Sequence, residues 1–318
     1  MDTTKQIDNK PVEKKKTKWE KVKKDFKKHK YVYMMAIPMI IFFILFSYMP
    51  MYGVLIGFKD FNPRLGVWGS PWVGLKHFRN FFGSIYFMRT LKNTALLSLY
   101  SLAWGFPAAI ILSLLLNEIK NEKFKRSVQT ITYLPHFISL VVICGLIVDF
   151  TSTDGLINSI LVNFGVEPVN WLTKPEWFRT IYIGSGLWQS IGWDSIIFLA
   201  ALSGIDPSLY EAAKIDGAGR WKQMLHVTLP GLAPTIIVMF ILNIGGLMSV
   251  GSQKIINLYN PLTYETSDVI SSYVYRKGVR GGEYSFSTAV GLFESAIGFA
   301  LLIIANKISK KVTEESLW

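Results

Sequence analysis

Two carboxylates, Asp194 and Glu294, sit in stretches otherwise apolar enough to cross a lipid bilayer. A charged side chain at the centre of a membrane helix costs about 2.5–3.5 kcal/mol on insertion scales, so such groups face a cavity or a partner. Trp188, Gln189, Trp193 and Asn243 fall in apolar stretches of the same kind. Together these six could offer a polar solute hydrogen-bonding groups and flat apolar faces. They also have structural uses: the tryptophans could pack between helices, and either carboxylate could hydrogen-bond to a second chain. Catalytic constellations are missing. His29, His77, His136 and His226 are scattered without ligand spacing, and Cys144, within an apolar run, is the single cysteine. That count excludes a disulfide within the chain and a thiol-based metal site. No Gly-x-x-x-x-Gly-Lys-Ser/Thr phosphate loop occurs, so if ATP drives this protein another chain hydrolyses it. We therefore expect no catalytic residue, no metal site and no cofactor on this chain.

The second chemically legible segment is 206–230, polar and helix-forming between two apolar runs. Asp206 suits an N-cap and Pro207 the first helical position, where its missing N–H costs nothing. Glu211, Ala212, Ala213 and Lys214 favour helix, and Gly217 can end it in the left-handed conformation. A second short turn, 220–227, is expected before Leu229-Pro230 breaks the chain. The prediction is a helix–turn–helix that displays one carboxylate on a closely approachable surface of small residues.

The elements that would position these groups follow from composition. Half of the 318 residues are hydrophobic, mean hydropathy is +0.31, and Phe, Trp and Tyr make up 14%, which is the profile of a polytopic membrane protein. Six segments can cross about 30 Å of hydrocarbon at roughly 20 residues each. They are 31–52, 91–116, 128–150, 179–201, 233–255 and 286–306, with Pro38, Pro107 and Pro135 inside spans and an irregular or closely packed region at Gly245-Gly246 and Gly251. Residues 1–30 hold twelve lysines against five acids, within a net charge of +12. A basic balance can signal nucleic acid, but lysines that precede a span face anionic lipid instead. Thr17 to Lys30 places Trp19, Val22 and Phe26 at helical spacing, readable as a helix on the inner leaflet or as a disordered basic tail. The charged region is too long for a cleavable signal, so 31–52 is read as a retained anchor.

Lys and Arg set the orientation. With the lysine-rich start inside, Lys120, Lys123, Lys125 and Arg126 fall inside, as do Lys214, Arg220 and Lys222, and Lys307, Lys310 and Lys311. The first external loop, with Lys59, Arg64, Lys76 and Arg79, runs against the rule but carries fewer charges than the N-terminal segment. Trp72, Leu75, Phe78 and Phe82 form an apolar stripe expected at the outer interface, and 151–178 an external loop with one short helix. No internal repeat is visible.

Segment 206–230 resembles the cytoplasmic coupling loop of binding-protein-dependent ABC importer permeases. The family pattern is Glu-Ala-Ala, three residues, Gly, nine residues, Ile, one residue, Leu-Pro. Here it falls on Glu211-Ala212-Ala213, Gly217, Val227 and Leu229-Pro230, Val for Ile being the one departure. The wider chain is similar to the carbohydrate branch, especially the complex-oligosaccharide subgroup. The similar stretches are Trp72-Val73-Gly74-Leu75, Asn93-Thr94, Tyr133-Leu134-Pro135-His136-Phe137, Gly192-Trp193, Phe198-Leu199-Ala200, Asn260-Pro261, Tyr273-Val274-Tyr275-Arg276 and Ser316-Leu317-Trp318. Asp194 stands where the pattern has an amide and Ser252-Gln253 where Phe-Glu is usual, departures that bear on substrate identity.

The resemblance implies an all-α membrane protein of six transmembrane helices with a cytoplasmic coupling helix–turn–helix, the ABC importer permease fold. Residues 1–30 would be a basic cytoplasmic segment and 31–318 the permease domain, with its core at about 91–306. It implies a second, related permease, two ATPase subunits carrying ATP and Mg, an extracellular solute-binding protein and surrounding lipid, with no nucleic acid. ATPase coupling would fall to Glu211, Ala212, Ala213, Asp216, Gly217, Leu229 and Pro230. The substrate path for a sugar or oligosaccharide would draw on Trp188, Gln189, Trp193, Asp194, Asn243 and Glu294. The expected location is a bacterial plasma membrane with both termini cytoplasmic. Two other readings remain at this point: an ion-gradient transporter with Asp194 and Glu294 as proton relays, and a membrane assembly or sensory subunit that transports nothing.

Overall fold

A computed structural model describes Trp19 and residues 25–313. Most of the basic segment 1–30, including Val22, and the closing Ser316-Leu317-Trp318 lie outside the described residues. Among those described, secondary structure is helical apart from one isolated antiparallel bridge between Lys59 and Trp72. Five segments are long and apolar enough to cross a membrane: Lys30–Phe58, Tyr86–Glu118, Leu140–Phe164, Arg220–Gly245 and Tyr284–Lys311. A sixth, Pro175–Ser203, passes together with Pro207–Ile215 beyond a 70° bend.

The chain divides into two compact units, Met1–Val54 and Leu55–Trp318. In the first, helix α1 (Lys30–Phe43) runs on through a π turn, Ile44–Tyr48, and no residue of α1 is buried. An apolar helix with every face open is stable only in lipid or against another chain.

The second unit contains α2 (Lys76–Phe82), α3 (Tyr86–Glu118), α4 (Glu122–Tyr133), α5 (Leu140–Thr151), α6 (Leu156–Leu161) and α7 (Pro175–Ser203). Beyond these lie α8 (Pro207–Ile215), α9 (Arg220–Gln223), α10 (Leu229–Gly245), α11 (Ser252–Leu258), α12 (Ile270–Val274) and α13 (Tyr284–Thr313). Helix α3 packs along α7, and α10 along α13. At one end of the bundle Leu97, Ile143, Phe178, Ile255 and Val269 bring α3, α5, α7 and α11 together. Phe81, Tyr273 and Val290 gather the aromatic side chains of α2, α12 and α13. At the other end Ala109, Phe198, Leu202 and Leu232 join α3, α7 and α10.

Four expectations need correction. The third span is not 128–150. Pro135 lacks the N–H that would bond to the Ile131 carbonyl, so α4 stops at Tyr133 and passes through a 3₁₀ turn, Leu134–Phe137. Ser139 then caps a new helix by accepting from the Val142 N–H at 3.4 Å. The fifth span ends at Gly245 rather than 255, and a separate helix starts at Ser252. There the Ser98 hydroxyl donates to the Leu247 carbonyl, taking up a group freed from the helical ladder. Leu229-Pro230 does not break the chain either. A π turn over Met224–Thr228 leads straight into α10, with the Leu229 N–H reaching the Met224 carbonyl. That wider turn relieves the clash a Pro230 ring would otherwise make with the His226 carbonyl. Finally, the stripe of Trp72, Leu75, Phe78 and Phe82 is not one element: Phe78 and Phe82 lie on α2, and Trp72 and Leu75 precede it. Trp72 lies in the bridge to Lys59 and stacks on Phe58, ring centroids 5.7 Å apart.

Candidate functional site: a coupling helix and the cavity above it

The coupling segment is built almost entirely by local rules. Asp206 accepts from the Ser208 N–H at 2.9 Å, and that bond holds its carboxyl below the usual carboxylate range. Pro207 occupies the first position of α8. At the other end Ala218 N–H donates to the Ala213 carbonyl and Gly217 N–H to the Lys214 carbonyl, while Gly217 sits at φ +76°. This is a Schellman closure, whose left-handed residue favours glycine. Asp216, the residue before it, is exposed.

Helix α8 is then tied to the chain on its C-terminal side. The Tyr210 and Thr228 hydroxyls lie 3.1 Å apart, and the Gln223 amide donates to the Ala218 carbonyl at 2.7 Å. Helix α9, the π turn and α10 form one continuous segment, Arg220–Gly245. Leu229 is half-buried and Pro230 exposed where that segment begins its apolar part. Glu211 and Ala212 stay exposed and Ala213 is half-buried. Leu209, Ile215, Trp221 and Leu225 are exposed beside them. Small residues next to open apolar ones suit a surface that another protein covers.

Between α3, α7, α10 and α11 lies a cavity of ≈ 520 Å³. Its polar groups are Ser98 and Ser101 from α3, Gln189, Ser190 and Asp194 from α7, Asn243 from α10, Ser249 from the segment after α10 and Lys254 from α11. Phe106, Tyr182 and Phe198 add aromatic surface. Hydroxyls, amides, a carboxylate and aromatic faces are the groups that bind polyhydroxylated solutes.

Of the six pathway candidates, the structure places Gln189, Asp194 and Asn243 in this wall; Trp188, Trp193 and Glu294 stand outside it. Trp193 stacks on His136, centroids 4.3 Å apart and planes 1° from parallel. That contact depends on Gly192, where a Cβ would overlap the Thr132 carbonyl and lie 2.9 Å from Tyr133 Cδ1. Sequence reasoning missed Lys254, Tyr182, Ser98 and Ser101. Lys254 carried a signal, being a single cation within the apolar run expected to span 233–255.

Away from the coupling loop, a buried ionic node joins the helices. The fully buried Asp268 carboxylate accepts from Arg89 at 2.9 Å and Arg276 at 2.8 Å, and from the Ser272 hydroxyl at 2.9 Å. Asn93 donates to the Glu265 and Asp268 carbonyls and accepts from Arg179, while Thr94 accepts from the Ile270 N–H. The node locks α3 and α7 to the 264–276 segment.

The chain is similar to known proteins along nearly its whole length. The permease protein YteP of the polygalacturonan/rhamnogalacturonan transport system of Bacillus subtilis (strain 168) is 46% identical over 91% of this chain and 90% of its own length. Protein LplB of the same organism is 43% identical over 92% of each. Among solved structures, a bacterial ABC transporter involved in the import of the acidic polysaccharide alginate superposes with a TM-score of 0.86. It is 44% identical, over 92% of this chain and 99% of that one. Residues 105–314, which hold the coupling segment and most of the cavity wall, match a family in their own right. The chain belongs to the binding-protein-dependent transport system inner membrane components.

Proposed function

We propose that this chain is a permease subunit of an ATP-driven importer, forming with a second, related permease the route for an oligosaccharide delivered by an extracellular solute-binding protein. The reading is supported by the relatives, which are transport permeases, and by a related transporter solved with an alginate pentasaccharide-bound periplasmic protein. The observation that carries it is the coupling helix α8, pinned to the foot of α10 with its Glu-Ala-Ala surface open. One of two ATPase subunits, which carry ATP and Mg, occupies that surface. Glu211 meets a basic residue there, and Ala212 and Ala213 permit close backbone approach. Asp216 and Gly217 set the angle to α9, and Leu229-Pro230 pass the motion on.

Closure of the ATPase pair moves α8, α9 and the π turn as one body, because Tyr210 of α8 is bonded to Thr228 of the π turn and Gln223 of α9 to Ala218 in the turn that follows α8. The motion enters α10 through the π turn. Asn243, in the cavity wall, lies fifteen residues beyond Thr228, or about 22 Å along a helix. Displacement of the foot of α10 therefore reaches the cavity, the kind of bistable rearrangement that alternates access. Both termini and the coupling loop face the cytoplasm of a bacterial cell.

The test is uptake by proteoliposomes that hold this chain with its partner permease, ATPases and receptor. Sugar uptake that needs ATP and ignores an uncoupler is expected. Uptake abolished by the uncoupler would make the chain a gradient-driven carrier, and no uptake by the full assembly would overturn the reading.

A further inference from the structure

Lys254 is 6% exposed, yet no carboxylate lies within ion-pair distance of it among the described residues. Its Nζ donates to the Tyr182 carbonyl at 2.9 Å and sits 4.8 Å from the centroid of the Tyr182 ring. An ammonium has three donors, and that carbonyl takes one. The head group lies in the cavity wall beside Gly186, where even a Cβ would stand 3.2 Å from Nζ. Glycine at 186 thus leaves room for the ammonium and for whatever approaches it. Asp194, the cavity's one acid, does not neutralise it: it is eight residues past Gly186 on α7, about 12 Å nearer the coupling loop. A buried cation with hydrogen-bonding capacity to spare and no counter-ion is costly, and such groups mark sites that receive an anion.

We propose that Lys254 is a specificity-determining residue whose ammonium receives a carboxylate of the passing chain, so that the route favours uronate-bearing over neutral oligosaccharides. The inference rests on the permease reading above and goes beyond it in naming the charge of the cargo. Burial pushes the Lys254 pKa down to about 8, which leaves it mainly protonated at neutral pH. The serine, amide and tyrosine groups around it then bind hydroxyls, which neutral and acidic sugars share. Charge is the feature that separates them.

The experiment uses the complete reconstituted transporter and a panel of oligogalacturonates, alginate oligosaccharides and their carboxyl-reduced neutral counterparts. Wild type should take up acidic members in preference to neutral ones. Lys254→Met and Lys254→Gln should each lower the acidic-to-neutral uptake ratio about tenfold, and Lys254→Arg should keep it within about threefold of wild type. Using two neutralising variants guards against a folding loss in either. A wild-type preference for the neutral counterparts, an unchanged ratio in the neutralised variants, or an equal fall for both classes would overturn the proposal. Absence of any ATP-dependent uptake by wild type would instead remove the permease reading, and this inference with it.

Discussion

Replacing Gly192 by alanine adds one methyl group at the tightest helix–helix approach beside the cavity. The new Cβ would overlap the carbonyl carbon and oxygen of Thr132 and stand 2.9 Å from Tyr133 Cδ1. Non-bonded carbons rest at about 3.5–4.0 Å, so α4 and α7 must part by roughly 1 Å. The obstacle is backbone rather than a flexible side-chain end, which puts the cost at about 2–3 kcal/mol, the upper part of the overpacking range. Separation also pulls Trp193 off His136, now 4.3 Å between centroids, forfeiting a further ~0.5–1 kcal/mol. The natural control is Gly184 on the same helix, whose Cβ would meet nothing within 4 Å. Alanine there should be neutral or stabilising by about 0.5–1 kcal/mol. Thermal inactivation of the purified complex, read by size exclusion after heating, should drop sharply in midpoint for Gly192→Ala and hold for Gly184→Ala. Uptake should fall with it, since Asp194 is only two residues further along α7. Equal midpoints for the two variants would refute the packing argument.

Other outcomes derive from the same geometry. Asp268→Asn leaves two guanidiniums facing a neutral group; because both arginines are a quarter to a third exposed, we expect a loss of about 2–3 kcal/mol rather than the full value for a buried pair, and an unshifted thermal midpoint would contradict the node. Gly217→Pro cannot adopt φ +76° and should abolish co-purification with the ATPase while membrane insertion persists, so normal co-purification would count against the coupling role. Uptake of acidic oligosaccharides should decline as pH rises through about 8, where Lys254, facing Cys144 of α5 and Tyr182 of α7, loses its proton. Arginine at 254 should flatten that profile up to pH 9, and a wild-type profile flat through pH 9 would dissociate Lys254 from the effect.

Features that depend only on neighbours along the chain were legible in the residues themselves. Apolar runs identify spans because transfer free energy sums over adjacent residues. The coupling helix was readable down to its Asp206 cap, its first-position Pro207 and its left-handed Gly217, since caps and turns are short-range hydrogen-bond problems. Even there, the passage through Leu229-Pro230 depended on a π turn that residue preferences do not announce.

Which distant groups meet was settled by helix packing. It set Gly192 against Thr132 and Trp193 against His136, bringing two short stretches of the resemblance, Tyr133–Phe137 and Gly192-Trp193, into contact. It likewise joined Asn93-Thr94 to the 264–276 segment through one buried carboxylate and its neighbours. It divided the six polar and aromatic candidates, turning Gln189, Asp194 and Asn243 to the cavity and leaving Trp188, Trp193 and Glu294 outside. It also carried Lys254 across 72 residues of sequence to the carbonyl of Tyr182. One physical cause is common to all of these. A helix presents every side chain at some angle, and the angle that faces a cavity is chosen by how helices pack, which no single stretch of chain encodes.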